Sequence, residues 1–265
     1  MAILTGAIKY RGSFKSIRNY MNLHDPNTYA GEKGGANRDL ILNNPAFART
    51  RENMNEFEGS GIAVKAIRRG FLNLLPDQTD SRFTGRLMKL VKEINRRDYE
   101  GIHGKRAIMF STDRPFLLSM VFNVLQHVAE MFQNKFVSTH TILRTDATLT
   151  LTDLNIKPVF VPKGASHFRI QHHLSIISDY TYYEANRRYE PVSNNVNGLS
   201  TFAYSEYTLV DKPLTEVLKA QFPVGTILSE DASVIECVGI EFYMKSGPDG
   251  YLPLKGSGMM VIDVF

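Results

Sequence analysis

The stretch HFRIQHHLSIISDYTYY, residues 167–183, decides the fold class, because its β-branched and aromatic residues run too densely for a loop and without helical spacing. It reads as a long strand. Similar signals recur on both sides. Ala147 to Thr152 alternates threonine and leucine, Leu199 to Val210 repeats the pattern, and Val234 to Met244 and Met259 to Phe265 complete the set. Turn residues separate these runs at Pro162-Lys163-Gly164, Asn194 to Gly198 and Gly247-Pro248-Asp249-Gly250. Antiparallel strands joined in this way predict a β-sandwich or jelly-roll-like unit over residues 107–265. Leu214 to Ala220 reads as one or two helical turns, and Ala107 to Ser111 as a further strand. Within Phe116 to Phe132 the run from Phe116 to Phe122 is expected to be a strand, followed by a helix carrying Val121, Leu125, Val128 and Phe132.

Upstream of this region the period changes to that of helices. Asn44 before Pro45 is a helix start, since the asparagine caps and the proline stands where its missing N–H costs nothing. Phe47, Met54, Phe57, Gly61, Val64, Ile67, Phe71 and Leu74 then form one apolar stripe, predicting a helix to Leu75 that Pro76 stops. Gly59-Ser60-Gly61 interrupts it, which predicts a bend or the close approach of another backbone. A second helix opens at Asp80 or Ser81 and carries Phe83, Leu87, Leu90, Val91 and Ile94 to about Asp98. The short connection predicts an antiparallel hairpin. The fold class is therefore α+β: N-terminal strands and a helical hairpin over residues 1–106, then the β-rich domain, with the boundary near Gly101 to Arg106.

Residues 1–43 are different again. Short alternating pieces, Ile8 and Tyr10, then Phe14, Ser16, Arg18 and Tyr20, are punctuated by Gly6, Gly12, Gly31, Gly34 and Gly35. The stretch holds too few apolar residues for a core of its own, so as an ordered arm it must pair with a sheet elsewhere or with another molecule.

Composition sets the outer bounds. At 265 residues, with 43% apolar, 22% charged and 11% aromatic content, the chain is ordinary globular material and not a disordered or collagen-like one. A single cysteine, Cys237, rules out an internal disulfide. With no charged-then-apolar leader at Met1 and no apolar run near 18 residues, the expected location is the cytoplasm, without a membrane span. Charge is split unevenly. Residues 1–106 carry 19 Lys and Arg against 11 Asp and Glu, while residues 107–265 carry 12 against 16. Such asymmetry points to nucleic acid, a membrane surface, or head-to-tail contact between copies. The clearest basic patch is the flank of the second helix, Arg82, Arg86, Lys89 and Arg96, joined by Lys65, Arg68 and Arg69 of the first.

No chemistry-bearing motif accompanies these features. His172 and His173 are adjacent on a strand and point to opposite faces, while His167 and His173 share a face about 20 Å apart, too far for one ion. His24, His103, His127 and His140 lack HExxH or CxxC context, so no metal site and no cofactor is assigned. Cys237 reads as an inert buried thiol, and neither Ser166-His167 nor Ser111-Thr112-Asp113 has the surroundings of a nucleophile elbow. Glu230-Asp231, and Asp77 with Asp80, stand in turns, where carboxylates cap helices and solvate loops. No catalytic residue is assigned. No phosphate loop, zinc finger or RNA-recognition signature is present. Tyr180, Tyr182, Tyr183, Tyr189, Tyr204 and Tyr207 are candidates for a sugar- or protein-binding surface, or for packing across strands.

The stretch from Asn44 to Asn53, NPAFARTREN, followed by Glu56-Phe57 and preceded by the glycine-punctuated segment, resembles a group of uncharacterised proteins of Bacteroidota over residues 6–95. The resemblance implies a bacterial source and an N-terminal module of turns and helices ahead of a variable β region. It carries over no activity and no catalytic residue.

These readings converge on a non-enzymatic structural or interaction protein that self-assembles into homo-oligomers. Ile8, Tyr10, Phe14 and Ile17 are its expected arm contacts, and the basic helix flank is its docking or phosphate-contact face. Electrostatic nucleic-acid binding is the alternative, and an enzyme of unknown class the third reading.

Overall fold

The computed structural model describes residues 2–5, 11–21, 25, 27–72, 74, 78–133, 136–248 and 250–265. It divides into two compact units, Met1–Arg51 and Glu52–Phe265.

The first unit holds a four-stranded antiparallel sheet in the order β1-β4-β3-β2, built from β1 (Ala2–Ile3), β2 (Gly12–Phe14), β3 (Ile17–Met21) and β4 (Thr28–Glu32). Strands β2 and β3 form a tight hairpin in which Phe14 pairs with Ile17 and Lys15 takes the left-handed conformation at φ 51°. Helix α1 (Arg38–Asn43) follows, with the Asn37 side chain accepting from the Leu40 N–H at 2.7 Å. Asn44 caps the next turn, Pro45–Phe47, by accepting from the Ala46 N–H at 2.9 Å, so the helix-start signal in the sequence is used as read. Arg51 donates to the carbonyls of Ile41 and Asn44, at 2.7 and 2.9 Å, which satisfies open backbone acceptors at the end of α1.

Helix α2 (Ala48–Gly70) ends five residues before the expected Leu75, and only the later part of the expected stripe turns inward: Val64, Ile67 and, just past the helix, Phe71 are buried. Met54 and Phe57 are 50% and 60% exposed. Beside Val64 and Ile67 the buried side takes in Glu56, Gly59, Ser60, Ala63, Ala66 and Gly70, which the stripe did not include. Small residues bring this helix close to its neighbours. A Cβ added to Gly59 would stand 2.4 Å from the Tyr189 ring, so the glycine admits a side chain rather than a second backbone, and the helix runs through it uninterrupted. Helix α3 (Phe83–Arg96) buries Phe83, Leu87, Val91 and Ile94, as its periodicity requires. The two helices pack antiparallel: Glu56, early in α2, meets Lys92, late in α3, and Gly61 faces Met88.

The next segment corrects two expectations. Residues 107–111 contribute only an isolated bridge, Ile108 to Tyr180. The apolar run from Phe116 lies in α4 (Arg114–Leu118) and a following turn, not in a strand. Pro115 explains this, since it suits a first helical turn and lacks the N–H that a sheet needs. Helix α5 (Val128–Met131) is a single turn.

Beyond it the β architecture takes over. A five-stranded antiparallel sheet runs in the order β10-β7-β13-β14, with β11 also paired to β7; its members are β7 (His167–Ser178), β10 (Ser200–Tyr204), β11 (Thr208–Leu209), β13 (Ala232–Ser246) and β14 (Gly250–Val264). A three-stranded sheet in the order β12-β6-β5 contains β5 (Val137–His140), β6 (Asp146–Leu154) and β12 (Leu214–Gln221). Strands β8 (Tyr180–Tyr183) and β9 (Arg188–Pro191) pair separately. The helical turn expected at Leu214 to Ala220 is thus a strand. Leu214, Leu218 and Ala220 bury on one side of it, with Glu216 at the intervening inward position and Val217 exposed on the other side, which hides the period of two in the sequence.

The central strands explain why residues 167–183 read as they do. Along β7, Phe168, Ile170, Leu174 and Ile176 pack in cores shared with the three-stranded sheet, while Ile177 joins the core under α2 and α3. Strand β13 divides in the same way: Val238, Ile240 and Phe242 face the small sheet, and Ile235 and Cys237 face the helices. Helices, large sheet and small sheet therefore form three layers, and β7 and β13 are buried on both faces. This is also why the helical hairpin belongs to the same compact unit as the strands, whereas the sequence suggested a boundary near residue 106. No helix among the described residues is long and apolar enough to cross a membrane.

Candidate assembly arm and cationic helix face

The hairpin β2–β3 sets Phe14 and Ile17 directly opposite one another, so their side chains leave the same face of the sheet, 62% and 46% exposed. The Lys15 ammonium stands 5.8 Å from the centre of the Phe14 ring. Ile8 and Tyr10, the other expected arm contacts, lie outside the described residues. Ile3, Met21, Leu40 and Leu42 are exposed as well. Among the described residues of this unit no apolar side chain is buried, and only Asn19 and Thr28 are.

The expected docking face separates into two parts. Arg86 is engaged structurally: it pairs with Asp80 at 2.9 Å and donates to the carbonyls of Val121 and Phe122, clamping the start of α3 to the following segment. Hydrogen bonding from Arg86 holds the Asp80 carboxyl down at about 2. The other six cations are exposed: Lys65, Arg68 and Arg69 on α2, Arg82 at the cap of α3, and Lys89 and Arg96 along it. Arg96 stands 3.9 Å from Glu93, an exposed pair of small energetic weight.

Two clusters were not legible as such in the sequence. The first centres on Glu56, which is fully buried and accepts from Arg106 Nε and Nη2, each at 2.7 Å, from the Gly104 N–H at 2.9 Å, and from Lys92. Burial alone would raise its carboxyl, but these donors override it and hold the group at about 2. Burial lowers Lys92 in turn, against the opposing pull of Glu56. Gly104 sits at φ 92° with its Cα side pressed to Glu52, a position closed to any residue with a Cβ. The second cluster gathers Tyr204, Tyr207 and Tyr243 around Arg169, whose guanidinium lies 3.8 Å from the Tyr204 ring centre and 2.6 Å from Glu241. Tyr251 stacks on Tyr207 at 3.8 Å. Tyr180 and Tyr189 are core residues instead. The set of tyrosines thus divides between packing and a half-exposed, internally satisfied cluster.

His172 and His173 lie side by side on β7 and point to its opposite faces, as their adjacency implied, while His24 lies outside the described residues. His172 points into the sandwich, with Nε2 2.7 Å from Glu236 Oε1 and Nδ1 3.2 Å from the Leu218 carbonyl. Ser138 donates to the same Glu236 oxygen, so hydroxyl and imidazole share one carboxylate. His173 points to the other face, 2.7 Å from the Gly70 carbonyl, and burial pushes it down to about 4. Among the described residues no group of three or more His, Cys, Asp or Glu side chains is placed to hold a metal ion. Compared with protein-family models, with curated proteins and with solved structures, the chain matches none.

Proposed function

We propose that this protein is a non-enzymatic structural or interaction protein that self-assembles through its N-terminal arm, with the cationic face of α2 and α3 as a docking surface. The observation carrying this reading is the state of the first unit, whose described residues bury no apolar side chain while exposing Ile3, Phe14, Ile17, Met21, Leu40 and Leu42. Ordering a residue's backbone costs roughly 1–2 kcal/mol, and small units without a core, a disulfide or a metal usually recover that cost by association. Open strand edges favour the same outcome, since another strand satisfies their backbone groups.

The test is a full-length chain carrying Phe14→Asp and Ile17→Asp, compared with the wild type by size-exclusion chromatography with light scattering. The wild type is expected as an oligomer and the double variant at the mass of one chain, with unchanged far-ultraviolet circular dichroism. A wild type of single-chain mass at high concentration would sink the reading. Nucleic-acid binding is the second reading, supported by the six exposed cations on α2 and α3. Its mark is retention on heparin that falls with salt and is lost on Arg68→Glu with Lys89→Glu.

A further inference from the structure

We propose that the outer edge of β14 receives the β2 edge of a second copy of this chain, the two strands pairing while Phe14 and Ile17 cover the apolar cavities beside that edge. The inference rests on the self-assembly reading and names its receptor surface.

Strand β14 is the end strand of the large sheet, paired along one side with β13. On its outer side the described residues show one isolated bridge, Val121 to Met260. Beyond that bridge Val261, Ile262 and Asp263 are half-buried, and the ladder to β13 is irregular there: Asp263 stands opposite Glu236 and Val261 opposite Cys237, with Ile262 as the extra residue between them. Val261 packs beside the core under the helices, and Met260 and Ile262 beside the core of the sandwich, so apolar surface is left partly covered on both faces. Two cavities line this edge. One, of about 360 Å³, is walled by Met120, Val124, Val128 and Met259; the other, of about 500 Å³, by Phe132, Phe136, Val261 and Ile262. Ala129 and Met260 line both, so the cavities adjoin along this edge. An apolar strand edge flanked by such cavities is a template for an added strand, whose main chain supplies hydrogen bonds and whose side chains fill them.

The occupant is chosen by charge and by complementary need. Residues 9–18 include Lys9, Arg11, Lys15 and Arg18, and no acidic residue precedes Asp25. The first cavity carries Glu130 on its wall, and Asp263 lies on the strand itself, half-exposed and 3.8 Å from His140. Strand β2 ends its own sheet, with Gly12, Ser13 and Phe14 all exposed, so among the described residues its outer edge has no paired strand and its aromatic side chain is uncovered. Because donor and receptor are different surfaces, each copy that docks its arm still offers a receptor, and the contact propagates into a ring or a filament.

Cross-linking tests this in the full-length chain. Phe14→Cys and Ile262→Cys are made in separate chains, the native Cys237 being fully buried and therefore silent. After mixing and mild oxidation, disulfide-linked dimers are expected in the mixture at several times the yield of either variant alone. If Ile262→Cys does not fold, as judged by circular dichroism, Asp263→Cys takes its place. Oligomers by light scattering with no excess of mixed dimer would overturn the β14 assignment and leave self-assembly standing. Single-chain mass throughout would remove both. A chain bearing both cysteines that closes an internal disulfide without forming dimers would also overturn the assignment to a second copy.

Discussion

Replacing Glu56 by alanine is expected to destabilise the Glu52–Phe265 unit by about 3–5 kcal/mol, the range for removing one partner from a buried ionic cluster. The substitution leaves the Lys92 ammonium and the Arg106 guanidinium, which are mostly buried, without their shared carboxylate, and the Gly104 N–H without its acceptor. These partners come from α3 and from the loop after it, so the hairpin loses the contact that fixes helix to helix and both to that loop. Equilibrium urea unfolding followed by circular dichroism reads the loss; a change under 1 kcal/mol would mean that the cluster relaxes into solvent at little cost. The pH dependence has a definite sign. The Glu56 carboxyl is held at about 2, below its ordinary value of 4.5, so its contribution is fully present above pH 4.5 and disappears as pH falls toward 2. The difference between wild type and variant should therefore shrink with acidification across that window and stay constant above it.

Phe168→Ala is expected to cost a similar amount, about 3–5 kcal/mol, through the transfer and cavity contributions of a deleted phenyl ring. Phe168 is fully buried on the face of β7 that meets the small sheet. The more informative expectation concerns cooperativity. Strands β7 and β13 contribute to the core under the helices and to the sandwich core alike, so damage on one side should lower the whole unit. The helical signal near 222 nm and the near-ultraviolet tyrosine signal are expected to move together in one transition, at a lower denaturant midpoint than in the wild type. If the helical signal melted apart from the tyrosine signal, the three layers would not be one cooperative body, and a boundary near residue 106 would regain its appeal.

Both expectations turn on polar or central residues that local pattern does not single out, and the candidate surfaces show the same division. The arm's poverty in apolar residues was plain from residues 1–43, and the exposure of Phe14 and Ile17 agrees with it. The basic flank was equally plain as a helical row, yet nothing in the row itself marked Arg86 as different from Lys89. Arg86 is withdrawn from the surface by carbonyls 35 and 36 residues away, at Val121 and Phe122. The receptor edge along β14 was invisible for the same reason: Phe132, Phe136 and Ile262 come together only when the chain after α5 folds back along the last strand.

The amino-acid sequence by itself determined the α+β class, the helix start at Asn44 and Pro45, the inward stripe of α3 and the opposed faces of His172 and His173. Each of these follows from a local period or a local hydrogen bond. Tertiary structure alone decided that the first half of α2 turns Glu56, Gly59 and Ser60 inward in place of Met54 and Phe57, because small residues and a glutamate carry no apolar signal, and Glu56 is drawn in by Lys92 and Arg106, 36 and 50 residues further along the chain. It also decided that the run from Phe116 becomes helix and turn and that Leu214–Gln221 becomes a strand. Apolar character says that a segment will be buried, while the partner that buries it settles the backbone shape it takes.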